Sequence, residues 1–288
     1  MQTEIKNAKT ALITGSTSGI GDVTARELAR LGFAVTIAGR DKTRCQATIA
    51  RIRASVPTAQ VDYLLADLSE MSQVRRLAEE FQQRHERLDA LVNNAGVFYL
   101  RRGLTPDGFE RTFAVNHLSY FLLTNLLLSL LADTAAHTGE ARVVNVSSNA
   151  HRGAQLDFED LGSIRHYQGW RAYCRSKLAN ILFTFELDRR LQGRGVSANA
   201  LHPGFVSTNI GVNHNPIMRL LYRLFIHPRT ISPEEGAQTS VYLVSSPEVK
   251  GLSGAYFVRC KGTRADPAAY DHETARRLWE ISAEMVGT

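Results

Sequence analysis

The residues best suited to chemistry in this 288-residue chain are Tyr173 and Lys177, in the stretch Tyr173-Cys174-Arg175-Ser176-Lys177. Positions i and i+4 of a helix share a face, so the phenol and the ammonium would point into one cleft. An ammonium near a phenol stabilises the phenolate and lowers its pKa, which would suit the tyrosine to give or take a proton near neutrality. RVVNVSS sets two hydroxyls, Ser147 and Ser148, at the end of an apolar run, and LVNNAG sets Asn93, Asn94, Ala95 and Gly96 at the end of another. If these runs are strands of an open α/β sheet, their carboxyl ends lie where such sheets bind ligands. Asn116 falls within a long helical stretch, where a polar residue taken alone could equally serve only to bend the helix.

A second set of residues suits binding. In ALITGSTSGIGDVTARELARLG, Gly15, Gly19 and Gly21 follow an apolar run and open a helical pattern. A helix N-terminus offers unpaired N–H groups and partial positive charge, and glycines let that backbone approach a pyrophosphate. The spacing is G-x-x-x-G-x-G rather than the usual G-x-G-x-x-G of dinucleotide-binding turns. After the next apolar run come Arg40 and Asp41. An arginine there accommodates the 2′-phosphate of NADP(H), whereas an acidic residue accepts from the 2′-hydroxyl of NAD. Arg40 therefore points to NADP(H), while Asp41 leaves room for NAD or for a supporting role beside Arg40.

These residues need a scaffold, and the apolar patterning supplies one. Short apolar runs over 10–14, 34–38, 61–66, 88–92, 142–146, 197–201 and 255–258 have the character of strands buried on both faces. Between them lie helical patterns over 23–31, 42–54, 71–83, 107–131, 170–191 and 233–244. The alternation predicts an α/β fold, a doubly wound (Rossmann) parallel sheet of about seven strands with helices on both faces. Ser232-Pro233-Glu234-Glu235 reads as a helix start with a capping box. No linker divides the chain, so one domain over 1–288 is expected, with an irregular lobe at 205–232 as a substrate lid.

The ordered set of motifs resembles the short-chain dehydrogenase/reductase family: T-G-x-x-x-G-I-G at 14–21, N-N-A-G at 93–96, Asn116, V-S-S at 146–148, Y-x-x-x-K at 173–177 and P-G-x-x-x-T at 203–208. FAVNHLSYFLLT, RAYCRSKLAN, LHPGFVST and RRLWEIS are similar to its retinol-dehydrogenase-like branch, as is the insertion at 151–169. The resemblance implies Tyr173 as general acid/base, Lys177 as its partner and a ligand of the nicotinamide ribose, and Ser148 as donor to the substrate oxygen. It implies that Asn116 holds a water in a proton relay. For the cofactor it implies the glycine loop (Gly15, Ser16, Thr17, Ser18, Gly19, Ile20, Gly21), Arg40, and Asp67 with Leu68 near adenine. Asn93, Asn94, Ala95 and Gly96 would line the cofactor, and Pro203, Gly204, Val206 and Thr208 would hold its nicotinamide end. Hydride transfer without metal and a homodimer or homotetramer built on the long helices are further implications.

Composition narrows the alternatives. The net charge of +6 comes from scattered cations rather than a block, so nucleic acid is not an expected partner. Three separated cysteines and nine dispersed histidines indicate neither a disulfide framework nor a metal site, and His151, His166 and His202 read as structural. The polar start of the chain has no signal-peptide character, and the apolar stretch 118–132 falls short of the ~18 residues of a span. A cytoplasmic protein is expected, with membrane association not expected. Met218, Leu221, Leu224 and Phe225 form an apolar stripe with Arg219 and Arg223 between them, suiting a lid or a membrane-surface segment. With Phe98, Tyr99, Phe158, Tyr167 and Trp170, that stripe suggests a bulky hydrophobic small-molecule substrate, an alcohol, aldehyde or ketone. Beside this oxidoreductase stand two alternatives: a non-catalytic NADP(H)-binding sensor or scaffold, and a C=C reductase.

Overall fold

The computed structural model describes residues 8–205 and 231–288. The seven apolar runs form β1 (Thr10–Thr14), β2 (Ala34–Gly39), β3 (Val61–Leu65), β4 (Ala90–Asn93), β5 (Ala141–Val146), β6 (Val196–His202) and β7 (Ala255–Val258). They pair in parallel in the order β3-β2-β1-β4-β5-β6-β7. A two-residue strand, β8 (Lys261–Gly262), adds an antiparallel edge beyond β7, making eight strands among the described residues, in keeping with the expected sheet of about seven. Two residues carry no hydrophobic period, which is why this edge does not show in the sequence.

Strand side chains alternate between two cores. Leu12, Leu91, Val143 and Ala198 face one layer, built on the helices α3 (Met71–Arg84), α4 (Arg111–Thr138), α5 (Gly169–Leu191) and α7 (His272–Val286). Ala11, Ile13, Val92, Val144 and Leu201 face the other, built on α1 (Gly19–Arg30), α2 (Lys42–Ser55) and α6 (Pro233–Ser245). Full burial of each such Leu, Ile or Val is worth about 1.5–3 kcal/mol, so both layers hold the strand ends, and the site upon them, in register. The expected capping box is present at α6: Ser232 Oγ accepts from Glu235 N at 3.1 Å while Glu235 Oε2 accepts from Ser232 N at 3.0 Å.

Helix boundaries depart from expectation where caps act. Helix α1 begins at Gly19, not Val23, because the glycine loop turns straight into it. Helix α4 begins at Arg111, not Asp107, because the Glu110 carboxylate accepts from Thr112 N and Phe113 N and starts the helix there. It runs on to Thr138, where Gly139 at φ +87° stops it, and it contains a π-turn at Ala114–Leu118. Part of α4 is after all long and apolar enough to cross a membrane, contrary to the reading of 118–132; most of it is buried inside this fold, where it serves as a core helix. Helix α7 leaves no clear apolar period in the sequence. Its buried positions Ala275, Leu278, Ser282 and Val286 lie between charged residues, and Asp271 caps it.

Candidate active site

The strand order reverses at β1, which lies between β2 and β4. Crevices at such points, beyond the carboxyl ends of the strands, are where doubly wound sheets bind ligands. Here the β1 and β4 ends are drawn into close contact. Thr14 Oγ1 accepts from Asn94 N at 3.0 Å and Ala95 N at 3.1 Å, and Asn94 Nδ2 donates to Thr14 O at 2.9 Å and Gly15 O at 3.2 Å. A Cβ on Gly15 would lie 2.6 Å from Ala95 Cα, and φ at Gly15 is +66°. A Cβ on Gly21 would lie 2.5 Å from both Gly15 O and Asn94 Nδ2. The glycines are thus required by the approach of the helix, loop and strand backbones. Ser18, at the N-cap of α1, makes no side-chain cap hydrogen bond, so the first N–H groups of the helix remain available. Ser16 Oγ donates inward to Ile13 O, and Ile20 packs against α6, so both can meet a ligand only through their main chain.

The loop reaches the end of β2 through Thr17. A Cβ on Gly39 would touch Thr17 Cγ2 at 2.8 Å, and Arg40 follows, exposed. Asp41 is committed elsewhere: it is the N-cap of α2, and its Oδ1 accepts from Arg44 N at 2.9 Å. After β3, Asp67 Oδ1 accepts from Ser69 N at 2.9 Å, and the Leu68 side chain is buried in the core.

At the β4 and β5 ends stands the candidate proton-transfer group. Helix α5 carries Tyr173 and, one turn on, Lys177. The Ser148 hydroxyl lies close enough to the Tyr173 phenol to pull its pKa down. Ser147, by contrast, is buried and donates to Lys177 O at 2.7 Å, which explains why the second serine and not the first faces the tyrosine. Lys177 Nζ donates to Val146 O at 3.0 Å and lies 5.7 Å from the Tyr173 ring centre. A Cβ on Gly96 would sit 3.5 Å from this Nζ and 3.8 Å from Asn116 Oδ1, so the N-N-A-G turn borders both. Asn116 occupies the π-turn of α4. Its Oδ1 accepts from Val97 N at 2.8 Å, and its Nδ2 donates to Val97 O at 3.0 Å and Ser176 Oγ at 2.9 Å. Both amide hydrogens are therefore used, and any water held by Asn116 is held through an acceptor, not by its NH2.

The electrostatics differ from the expectation of an acidified phenol. Burial pushes the Tyr173 phenol up to about 12, against a smaller downward pull from Ser148. Burial brings the Lys177 ammonium down to about 7. Placing either charge in this enclosed site is costly, so the resting pair favours phenol and, above neutrality, amine.

Asn93 does not line the crevice. It is fully buried, and its Nδ2 donates to Thr124 Oγ1 at 2.9 Å and Asn145 Oδ1 at 2.8 Å, while Asn145 in turn donates to Thr184. This polar string ties β4, β5, α4 and α5 beneath the site, and only Asn145, a polar residue inside the apolar run RVVNV, signalled it. Tyr120, also missed, donates to Ala95 O at 2.7 Å and lies 5.9 Å below Lys177 Nζ. Phe98 and Trp170 flank the tyrosine with ring centres 5.9 and 5.8 Å away, forming an aromatic wall. At the β6 end, Pro203 is followed by Gly204 at φ +94°, where a Cβ would meet Ile231 Cδ1 at 2.3 Å. Val206, Thr208 and the stripe of Met218, Leu221, Leu224 and Phe225, like most of the 205–232 lobe, lie outside the described residues.

The model of the short chain dehydrogenase family matches residues 9–217. The chain is 45% identical over 295 residues to retinol dehydrogenase 14 of Mus musculus, an alignment covering 98% of this chain and 87% of that protein. Among solved structures, a protein from Mycobacterium paratuberculosis matches with a TM-score of 0.78 and 35% identity, covering 97% of this chain and 94% of that one. The RhlG/NADP active-site complex of Pseudomonas aeruginosa matches with a TM-score of 0.70 and 27% identity, covering 92% and 97%. With the 3-2-1-4-5-6-7 sheet and the glycine crevice, these similarities make the chain a member of the short-chain dehydrogenase/reductase family, in its retinol-dehydrogenase-like branch, and an oxidoreductase acting between alcohol and carbonyl groups.

Proposed function

We propose that this oxidoreductase uses NADP(H) to interconvert a bulky hydrophobic aldehyde or ketone and its alcohol, with Tyr173 as general acid/base. The observation that carries this is the convergence of the Ser148 hydroxyl, the Tyr173 phenol and Lys177 Nζ beside Gly96. The residues fit a dinucleotide. The glycine turn leaves main-chain N–H groups for a pyrophosphate, Arg40 follows the end of β2, where it would meet a 2′-phosphate, and Lys177 Nζ spends one of its donors on Val146 O, leaving others for ribose hydroxyls. Asp67, Leu68, Asn94, Ala95, Gly96, Pro203 and Gly204 complete the crevice, with Val206 and Thr208 assigned by sequence alone. The bound cofactor supplies or takes the hydride.

The side chains then do the following. Ser148 donates to the substrate oxygen and orients the carbonyl. Tyr173, held as a neutral phenol by burial, gives its proton to that oxygen as the alcohol forms, and takes it back in the reverse direction. Lys177 returns a proton to the phenolate and is recharged from solvent through a water held at Asn116. Phe98 and Trp170 exclude water from one side of the phenol and favour an apolar substrate. Similarity to a retinol dehydrogenase supports the same substrate character.

The test is a screen of NADPH and NADH consumption with decanal, benzaldehyde, all-trans-retinal and menadione. NADPH-dependent turnover of the aldehydes is expected. Turnover with NADH alone, or with none of the carbonyls, would overturn the assignment.

A further inference from the structure

The structure assigns His151, read from the sequence as merely structural, a positioning role: its imidazole holds the turn that presents Ser148 to Tyr173. This rests on the roles proposed above for Ser148 and Tyr173. Ser148 is the N-cap of a short 3-10 turn, Asn149–His151, and its Oγ accepts from Ala150 N at 3.2 Å. The direction of that hydroxyl is therefore set by the turn. The turn is closed by its third residue: Ser148 O accepts from His151 N at 3.1 Å and again from His151 Nδ1 at 2.6 Å.

The far side of the ring fixes its tautomer. His151 Nε2 faces Asp266 N at 3.0 Å, and a main-chain N–H can only donate, so Nε2 accepts and Nδ1 carries the hydrogen. The neutral imidazole thus bridges the Ser148 carbonyl to the segment preceding α7. The same segment clamps the rest of the loop: Asp266 Oδ2 accepts from Gly153 N at 3.0 Å, and Arg152 Nη2 donates to Arg264 O at 2.9 Å. The His151 ring is fully buried with its edge on Tyr256 of β7, whose hydroxyl donates to Asn149 Oδ1 at 3.0 Å. Arg152 from its own loop, Asp266 from the C-terminal segment and His202 from β6 are the charged or titratable neighbours, and burial keeps the ring neutral.

Two substitutions separate the two ends of the bridge. Asparagine can place an N–H where Nδ1 stands, keeping the Ser148 bond; glutamine reaches the place of Nε2, keeping only the Asp266 bond. With NADPH and the most rapidly reduced aldehyde of the screen, His151→Ala should lower kcat roughly 10- to 100-fold, the scale of a displaced catalytic group, with KM for NADPH within about twofold. His151→Asn should recover kcat to within about fivefold of the parent, and His151→Gln should stay near the alanine value. In a Ser148→Ala background, His151→Ala should cost less than about twofold more, since the bridge acts through that serine. Equal recovery by Asn and Gln, an unchanged kcat in His151→Ala, or multiplied losses in the double variant would each overturn the role. If His151→Ala does not fold, the Asn and Gln variants decide alone. Full turnover by Ser148→Ala or Tyr173→Phe would instead strike the underlying assignment, leaving the two failures distinguishable.

Discussion

Replacing Arg40 with alanine should remove most of the preference for NADPH while leaving NADH binding nearly unchanged. The exposed guanidinium stands next to Gly39, over which Thr17 of the glycine turn packs, so a phosphate on the 2′ oxygen would fall within its reach. A hydrogen bond between charged groups is worth about 1.5–3 kcal/mol, and solvent exposure places this one at the lower end. At about 1.4 kcal/mol per tenfold, a loss of roughly 1.5–2 kcal/mol weakens NADPH about 10- to 30-fold. Lys42 and Arg44 remain nearby as exposed cations, so a residual, salt-sensitive preference should persist. Fluorescence or calorimetric titration of both cofactors at two salt concentrations measures this directly. Asp41→Ala is the companion variant. As the α2 cap it should cost about 0.5–2 kcal/mol of stability and leave both cofactors alone. Equal losses of NADPH and NADH in Arg40→Ala, or selective loss of NADH in Asp41→Ala, would refute the role given to each.

Three other outcomes follow from the geometry. Gly15→Ala should destabilise the fold by more than the ~1–2 kcal/mol of left-handed strain, because its Cβ meets Ala95 main chain at 2.6 Å; Gly108→Ala, at φ +83° with open space around it, should show the strain alone in thermal melts. Lys177→Met should abolish turnover yet flatten the pH dependence of stability. The lysine is about 7 folded against 10.5 unfolded, so across that window the unfolded chain holds the extra proton, and the parent gains up to about 1.4 kcal/mol per pH unit as pH rises. Paired denaturant melts at several pH values give the difference. Light scattering should report a dimer or tetramer, with the half-buried Leu126 and Leu130, one turn apart on α4, in the contact; a monomer at micromolar concentration would refute it.

Much of this architecture is legible in the chain because burial on both faces leaves a plain mark. Runs such as TALIT and RVVNV are strands wherever they occur in a doubly wound sheet, and the turn glycines announce close backbone approach. Helix α7 escaped notice because its apolar stripe is diluted by charge, and β8 because two residues carry no period. Within the site, residue type showed which groups could react and not which way they face. Asn93 and Asn94 are neighbours of the same type, yet one is sealed in a polar string under the sheet and the other braces the glycine turn. Nor could spacing weigh burial against charge at Tyr173, where enclosure wins and the phenol is raised.

The decisive measurement is turnover and cofactor binding by Tyr173→Phe. This variant removes one hydroxyl while keeping the ring between Phe98 and Trp170. Carbonyl reduction should fall to background, by 100-fold or more on the scale of a lost general acid, with NADPH affinity within about threefold of the parent. Unchanged turnover would contradict the assignment of Tyr173 as the proton donor.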